Sequence, residues 1–417
     1  MNHARPIIIT STAATILALW GCGDAPQHVT AAAQHAPELE QQLDWMTEHA
    51  PSYLHDRAWR RRALEESLWR PELPYSQKLL DGYALEKGGW ELLPTYSFDA
   101  YAVYEPGDER STLVARFDAN APTPTTRQEW LELGERVFWY LPMRRDAYLS
   151  WVVQRPERWR EVGLEQDDDG ALRGVIRYRD ARGRARIGLT CAACHASNQE
   201  PGRATSALDL GKARALYRQA RDLDPAPFDT WGAGKIDVTD DGRVDPVAIP
   251  NLWGVSSQRF LNSSGVFEKS SPATPAIRFE TQYLSNYAYE VRPARQWTWS
   301  LAMYVTSLAG EKSRPARPAP PAAFTRACAS CHDPDAGFSG GLIPADALSS
   351  DATVANSPKR GTGHYRVPSL LGVGEGGPYL HDASANTLEE VLSSGHPDGA
   401  RLSTTDHDAI LDYLKTL

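Results

Sequence analysis

Cysteine is scarce in this chain of 417 residues: there are five, and four of them form two pairs with the same spacing. If those four and Cys22 are each used up by a covalent attachment, no thiol is left over and no disulfide framework is needed. Methionine is scarcer still. Beyond the first residue it occurs only as Met46, Met143 and Met303. No histidine lies between His195 and Cys328. An excess of basic charge is also missing: 44 Lys and Arg against 53 Asp and Glu leave a formal charge of −9. Nucleic acid is therefore not an expected partner, because phosphate binding needs a basic face.

A run long enough to span a bilayer is lacking at the N-terminus. Arg5 precedes an apolar stretch from about Pro6 to Trp20, which is short and poorly flanked for a transmembrane helix and reads as an export signal. Its end, Leu19-Trp20-Gly21-Cys22, has the form of a bacterial lipobox, in which the cysteine is acylated and becomes the new N-terminus. On this reading residues 1–21 are a lipoprotein-type signal peptide, Cys22 carries lipid and 23–38 is a flexible tether. Acyl chains rather than a span then hold the protein to a bacterial membrane on its periplasmic side. The bulk of Trp20 leaves an ordinary cleaved signal as the alternative.

What is present is Cys191-Ala192-Ala193-Cys194-His195 and, again, Cys328-Ala329-Ser330-Cys331-His332. CxxCH is the attachment signature of c-type haem. Two thiols three residues apart reach the two vinyl groups of one porphyrin, and the adjacent histidine supplies the proximal imidazole. Two haems c, covalently bound, are therefore the expected cofactors, with iron on His195 and His332. A four-cysteine zinc site is the alternative, but its pairs usually lie within about 15–20 residues, far closer than Cys191 and Cys328. A redox dithiol expects a βαβ context, which neither pair has.

The length suggests two to three domains. Residues 39–125 are Trp- and Tyr-rich and interrupted by Gly and Pro, and read as an extended N-terminal arm. From Thr126 to about Val153 apolar residues recur with helical periodicity. A turn at Asp167-Asp168-Asp169-Gly170 leads into two short apolar runs around Arg182-Gly183, a β-hairpin that delivers the chain to Cys191. Trp297 to Leu308 is an amphipathic helix closing a first haem domain, 126–312. A Pro-rich linker at 315–321 precedes a second, 322–417, which ends in a helix from Asp406. An internal repeat supports the division. Ile249-Pro-Asn-Leu-Trp-Gly-Val255 follows the first motif and Val367-Pro-Ser-Leu-Leu-Gly-Val373 the second. The expected fold is mainly α: two cytochrome c-like domains with one haem each, a small hairpin in the first, and the arm around them.

The other face of each iron decides between electron transfer and catalysis. A second strong ligand gives an electron carrier, whereas an open position admits peroxide or oxygen. The first domain lacks a histidine for that position, and Met303 reads as core, so the first haem is the candidate reaction centre. His364, His381 and His396 are all available to the second.

These residues resemble the bacterial di-haem cytochrome c peroxidase and MauG superfamily over roughly Thr126 to Leu417. The most specific stretches are Tyr365-Arg-Val-Pro-Ser-Leu-Leu-Gly-Val, Gly377-Pro-Tyr-Leu-His-Asp-Ala-Ser and Thr387-Leu-Glu-Glu-Val391. The resemblance implies a peroxide-reacting first haem and a second haem that relays electrons. His381 falls on the family's characteristic histidine beside the second haem. The family's axial Met or Tyr falls at Gly395, so His396, which follows it, is the preferred sixth ligand. The family's inter-haem Trp maps near Leu261, with Trp253 and Trp231 as substitutes or as packing. Its distal acid maps near Glu280, where a carboxylate could shuttle a proton as a catalytic group. Bridging calcium is weakly supported, because Ala248 and Gly376 occupy the ligand slots. Asp237 to Asp245 imitates the start of a calcium loop but has Ala248 in the twelfth place. The implied function is a periplasmic di-haem oxidoreductase, peroxidase- or MauG-like, served by a small redox protein or a quinol-linked donor. The alternatives are a two-haem electron carrier and a di-haem oxygenase of the rubber-cleaving kind.

Overall fold

A computed structural model describes residues 39–83, 89–108, 110–237, 243–309, 318–396 and 402–417. Cys22, the signal, the tether and the centre of the calcium-like loop lie outside them. The described residues pack as one compact unit. Helix is the main ingredient, with small antiparallel sheets added. Among the described residues no helix is long and apolar enough to cross a membrane.

The chain opens with α1 (Leu39–His55), α2 (Arg57–Glu66) and α3 (Pro74–Gly82), then β1 (Phe98–Ala102) and β2 (Leu113–Phe117). Next come α4 (Arg127–Tyr140), α5 (Ala147–Val152) and α6 (Pro156–Glu161), the hairpin β3 (Val175–Arg179) and β4 (Ala185–Leu189), the single turn α7 (Ala192–His195) and α8 (Leu210–Gln219). Four two-residue strands follow: β5 (Lys235–Ile236), β6 (Val247–Ala248), β7 (Phe260–Leu261) and β8 (Phe267–Glu268). The long helices α9 (Thr274–Asn286) and α10 (Arg295–Ser307) come before α11 (Ala322–Ala327), β9 (Leu342–Pro344), β10 (His364–Arg366), α12 (Leu388–Ser393) and α13 (Thr404–Leu414).

The expected extended arm is instead three helices and a β-hairpin built into the core. Leu43, Met46, Ala50 and Tyr53 recur at helical spacing on α1, all buried, and this stripe must find a cover. It packs on Ile277 and Leu284 of α9 and on Trp299 and Met303 of α10. Strand β1 pairs with β2 on one side and β3 on the other, so the hairpin expected before Cys191 forms half of a four-stranded sheet, β2-β1-β3-β4. Helix α10 is buried nearly all round, as a helix central to its fold must be. Its Trp297 meets Phe98 and Phe117 of the sheet edge-on, while its Trp299 faces α1. Helix α4 starts where the sequence indicates: the Thr126 hydroxyl accepts from the Glu129 N–H and the Glu129 carboxylate accepts from the Thr126 N–H, a capping box.

Candidate haem-attachment sites

The hairpin fixes the first motif. After β4, the Thr190 N–H donates to the Gly174 carbonyl at 2.8 Å, which turns the chain into α7. There the N–H groups of Cys194 and His195 donate back to the Cys191 carbonyl at 3.1 and 2.9 Å, so both sulfurs and the imidazole issue from one turn. None of the four motif cysteines is in a disulfide. The Nδ1 of His195 is tied to the Pro250 carbonyl at 3.1 Å, which leaves Nε2 for a metal and fixes the ring plane.

The second motif repeats this plan. The N–H groups of Cys331 and His332 turn back to the Cys328 carbonyl at 3.1 and 2.8 Å. The Nδ1 of His332 is tied to the Phe338 carbonyl at 3.1 Å, and the Pro368 carbonyl also bonds this ring. Pro250 and Pro368 are the same position of the internal repeat. The repeat thus has a physical purpose: each copy backs one imidazole with a prolyl carbonyl. The two copies also touch. Asn251 Nδ2 donates to the Gly372 carbonyl at 3.0 Å, and a β-carbon on Gly254 would overlap Ser369, the counterpart of Asn251.

Burial shapes the acid–base state of both motifs. It pushes the Cys191 thiol up to about 12 and the Cys194 and Cys328 thiols up to about 11. A redox dithiol needs the opposite shift. Burial also holds His195 and His332 down to about 4, against the pull of their backbone hydrogen bonds. A neutral imidazole is the form that binds iron.

The sites differ in what faces the histidine. The ring centres of His332 and His396 are 6.3 Å apart. With metal–nitrogen bonds of about 2 Å and ring centres roughly 1 Å further back, two imidazoles on opposite faces of one iron would be separated by roughly 6 Å. Gly395 makes the approach possible. It follows the end of α12 with φ +97°, a conformation that favours glycine, and turns the chain so that His396 faces the motif. The Nδ1 of His364 bonds the Thr362 carbonyl at 2.9 Å and its ring stands edge-on to Trp69.

The first motif opens instead onto a cavity. Cys191, Cys194 and His195 line it, and His195 is the one imidazole among its described lining residues. Helix α9 covers it with Arg278, Phe279, Gln282 and Asn286. Glu280 is not among them. Two residues along a helix is about 200° around it, so Glu280 points to the opposite side. There its Oε2 accepts from Tyr53 at 2.9 Å and Tyr83 at 3.2 Å, and its Oε1 lies 3.3 Å from Arg295. In this position Glu280, the expected catalytic group, is a buried tie between the N-terminal helices and α9–α10.

Other expected residues separate in the same way. Leu261 and Ala248 line the cavity. His381 stacks on Tyr365, with centres 3.8 Å apart, and its carbonyl accepts from the Ala248 N–H. Trp253 is wholly buried between the two repeat copies, in the core that also holds Cys328 and Phe338. Trp231 packs with Leu208 and Leu210 near α8, and Met303 sits in the α1 core. Sequence reasoning missed Met143, Arg278, Gln282, Arg360 and Arg366, all of which line the cavity. Of these, Arg278 and Gln282 were findable from the i, i+4 spacing on α9.

No family model matches the chain, and no curated protein matches it. Among solved structures, the chain is similar to a hydrazine synthase of Kuenenia stuttgartiensis, solved under xenon pressure. The match has 16% identity and a TM-score of 0.34, and covers 76% of this chain and 96% of the other.

Proposed function

We propose that this chain is an exported di-haem c-type oxidoreductase of the peroxidase or MauG kind, with one haem on Cys191, Cys194 and His195 and the other on Cys328, Cys331 and His332. Each haem belongs to its own cytochrome c-like half, and Cys22 anchors the protein at a bacterial membrane facing the periplasm. One observation carries the reading: the two histidines of the motifs are backed alike but faced differently. His332 has a second imidazole at the separation a six-coordinate iron requires. His195 faces a cavity whose described lining mixes apolar side chains with arginines, amides and hydroxyls and holds no second imidazole.

The haems would supply the redox change. The chain's own residues do the rest. The Pro250 and Pro368 carbonyls orient the proximal imidazoles. His396 would saturate the second iron and suit it to relaying electrons. The described residues lining the first site offer no second imidazole, which would keep a position on that iron for hydrogen peroxide or oxygen, and Gln282 offers an uncharged amide to a small polar ligand. Electrons would arrive at the second half from a small redox protein or a quinol-linked donor.

The test is the holoprotein, produced in a host that attaches haem c. Mass and pyridine haemochrome analysis should give two haems per chain. Ferric electron paramagnetic resonance should show one low-spin and one high-spin centre, and peroxide should be consumed with a reduced donor. Two low-spin centres with no turnover would replace this reading with the plain electron carrier. Fewer than two haems would end it.

A further inference from the structure

Arginine crowds one wall of the first cavity. Arg278 of α9, Arg366 of β10 and Arg360 just before β10 line it together with Cys191 and His195. Arg278 donates from Nε to Asn262 Oδ1 and from Nη1 to Gln282 Oε1, both at 3.1 Å. Arg366 donates from Nε to the Asn262 carbonyl at 3.1 Å. Every one of these acceptors is neutral. The Nη1 of Arg366 is buried and has no hydrogen-bond partner. Among the described residues, neither Arg278 nor Arg366 pairs with a carboxylate, and none lining the cavity is acidic. Burial lowers both guanidinium groups to about 10, and Arg360 adds repulsion to Arg278. Charges buried beside one another with only neutral partners are costly unless an anion completes the site. Guanidinium presents a planar fork that matches a carboxylate.

We propose that this wall binds carboxylates, and that its occupants are the two propionates of the haem held by Cys191, Cys194 and His195. The assignment rests on the haem reading above and adds what grips the far edge of the porphyrin. It has a structural corollary. Arg360 and Arg366 come from the second half of the chain, so the first haem is clasped by both halves.

The experiment uses the full holoprotein and the variants Arg366→Gln, Arg278→Gln and Arg366→Lys. Wild type and variants should all carry two haems per chain, because the thioethers do not depend on the wall. Both Gln variants should lower the reduction potential of the first haem, since losing a nearby positive charge favours the ferric state. They should also shift the propionate-bending bands in resonance Raman spectra. Arg366→Lys keeps the charge and should stay nearer to wild type, which separates the charge effect from damage to the fold. Added malonate should leave the wild-type spectrum unchanged if the propionates already fill the wall. Unaltered potentials and bands in both Gln variants would overturn the proposal. So would a saturable malonate-dependent shift in wild type, which would mean that the wall is open to a free dicarboxylate. A wild-type protein with fewer than two haems would sink the parent reading instead.

Discussion

His396 stands across from His332 with ring centres 6.3 Å apart and ring planes 70° apart. Gly395, just past the end of α12, turns the chain there with φ +97°. Replacing His396 tests a single bond. His396→Ala should keep two haems per chain and convert the second iron from low to high spin, visible in the ferric visible and electron paramagnetic resonance spectra. His396→Met should raise that haem's potential, because a thioether axial ligand does so. Unchanged spectra in both would remove His396 from the iron.

The contact between the two repeat copies should carry much of the stability of the C-terminal core. Trp253 is fully buried, and its indole N–H donates to the Pro201 carbonyl at 3.0 Å. Trp253→Ala should cost about 3–5 kcal/mol, as large-to-small changes of buried aromatics do. Gly372→Ala should be nearly as harmful for its size. Its φ is +78° and its added β-carbon would overlap the Trp253 ring. Denaturant midpoints of the holoproteins measure both losses.

Glu280 offers a clean separation of structure from chemistry. Glu280→Ala leaves the Tyr53 and Tyr83 hydroxyls and the Arg295 guanidinium buried without their shared acceptor, and should cost about 3–5 kcal/mol. Glu280→Gln keeps an acceptor and should cost less. Peroxide consumption per correctly folded molecule should be the same in Glu280→Gln as in wild type. A loss of turnover by orders of magnitude with the fold intact would restore a chemical role.

Asp180 sets a pH dependence at the hairpin that feeds Cys191. Burial alone would raise its carboxyl. The Arg186 and Arg184 side chains, at 2.9 and 3.0 Å, and the N–H groups of Arg184 and Arg182 outweigh burial and hold it at about 2. An unfolded aspartate titrates near about 3.9, so the folded value is depressed. The contribution is then full above about pH 4 and is lost as pH falls through about 2. Asp180→Asn should lower stability by about 1–3 kcal/mol at neutral pH, and its gap from wild type should close below about pH 2. Urea midpoints across that range are the measurement.

Much of this was legible in the chain itself. The CxxCH motifs, the hairpin before the first, the helices at 295–307 and 404–414 and the paired Pro segments are local patterns, and local patterns survive without tertiary information. The helices of the N-terminal region are masked in the sequence by its Gly and Pro breaks, although the Leu43, Met46, Ala50, Tyr53 stripe does follow a helical period. Glu280 was placed by counting along a resemblance. One or two positions separate opposite sides of a helix, and on α9 the residues that line the cavity are Arg278, Phe279, Gln282 and Asn286. The arginine wall as a whole could not be read, since Arg278 meets Arg360 and Arg366 only when the two halves fold together.

The hydrogen bond from Asn251 to Gly372 joins the segments that steady the two proximal rings. The two prolyl carbonyls are thereby tied to each other, and a tilt of one imidazole would press on the backbone that helps to aim its twin. On the di-haem reading, a change of coordination at one iron would in this way be geared to the other along a path of a few residues.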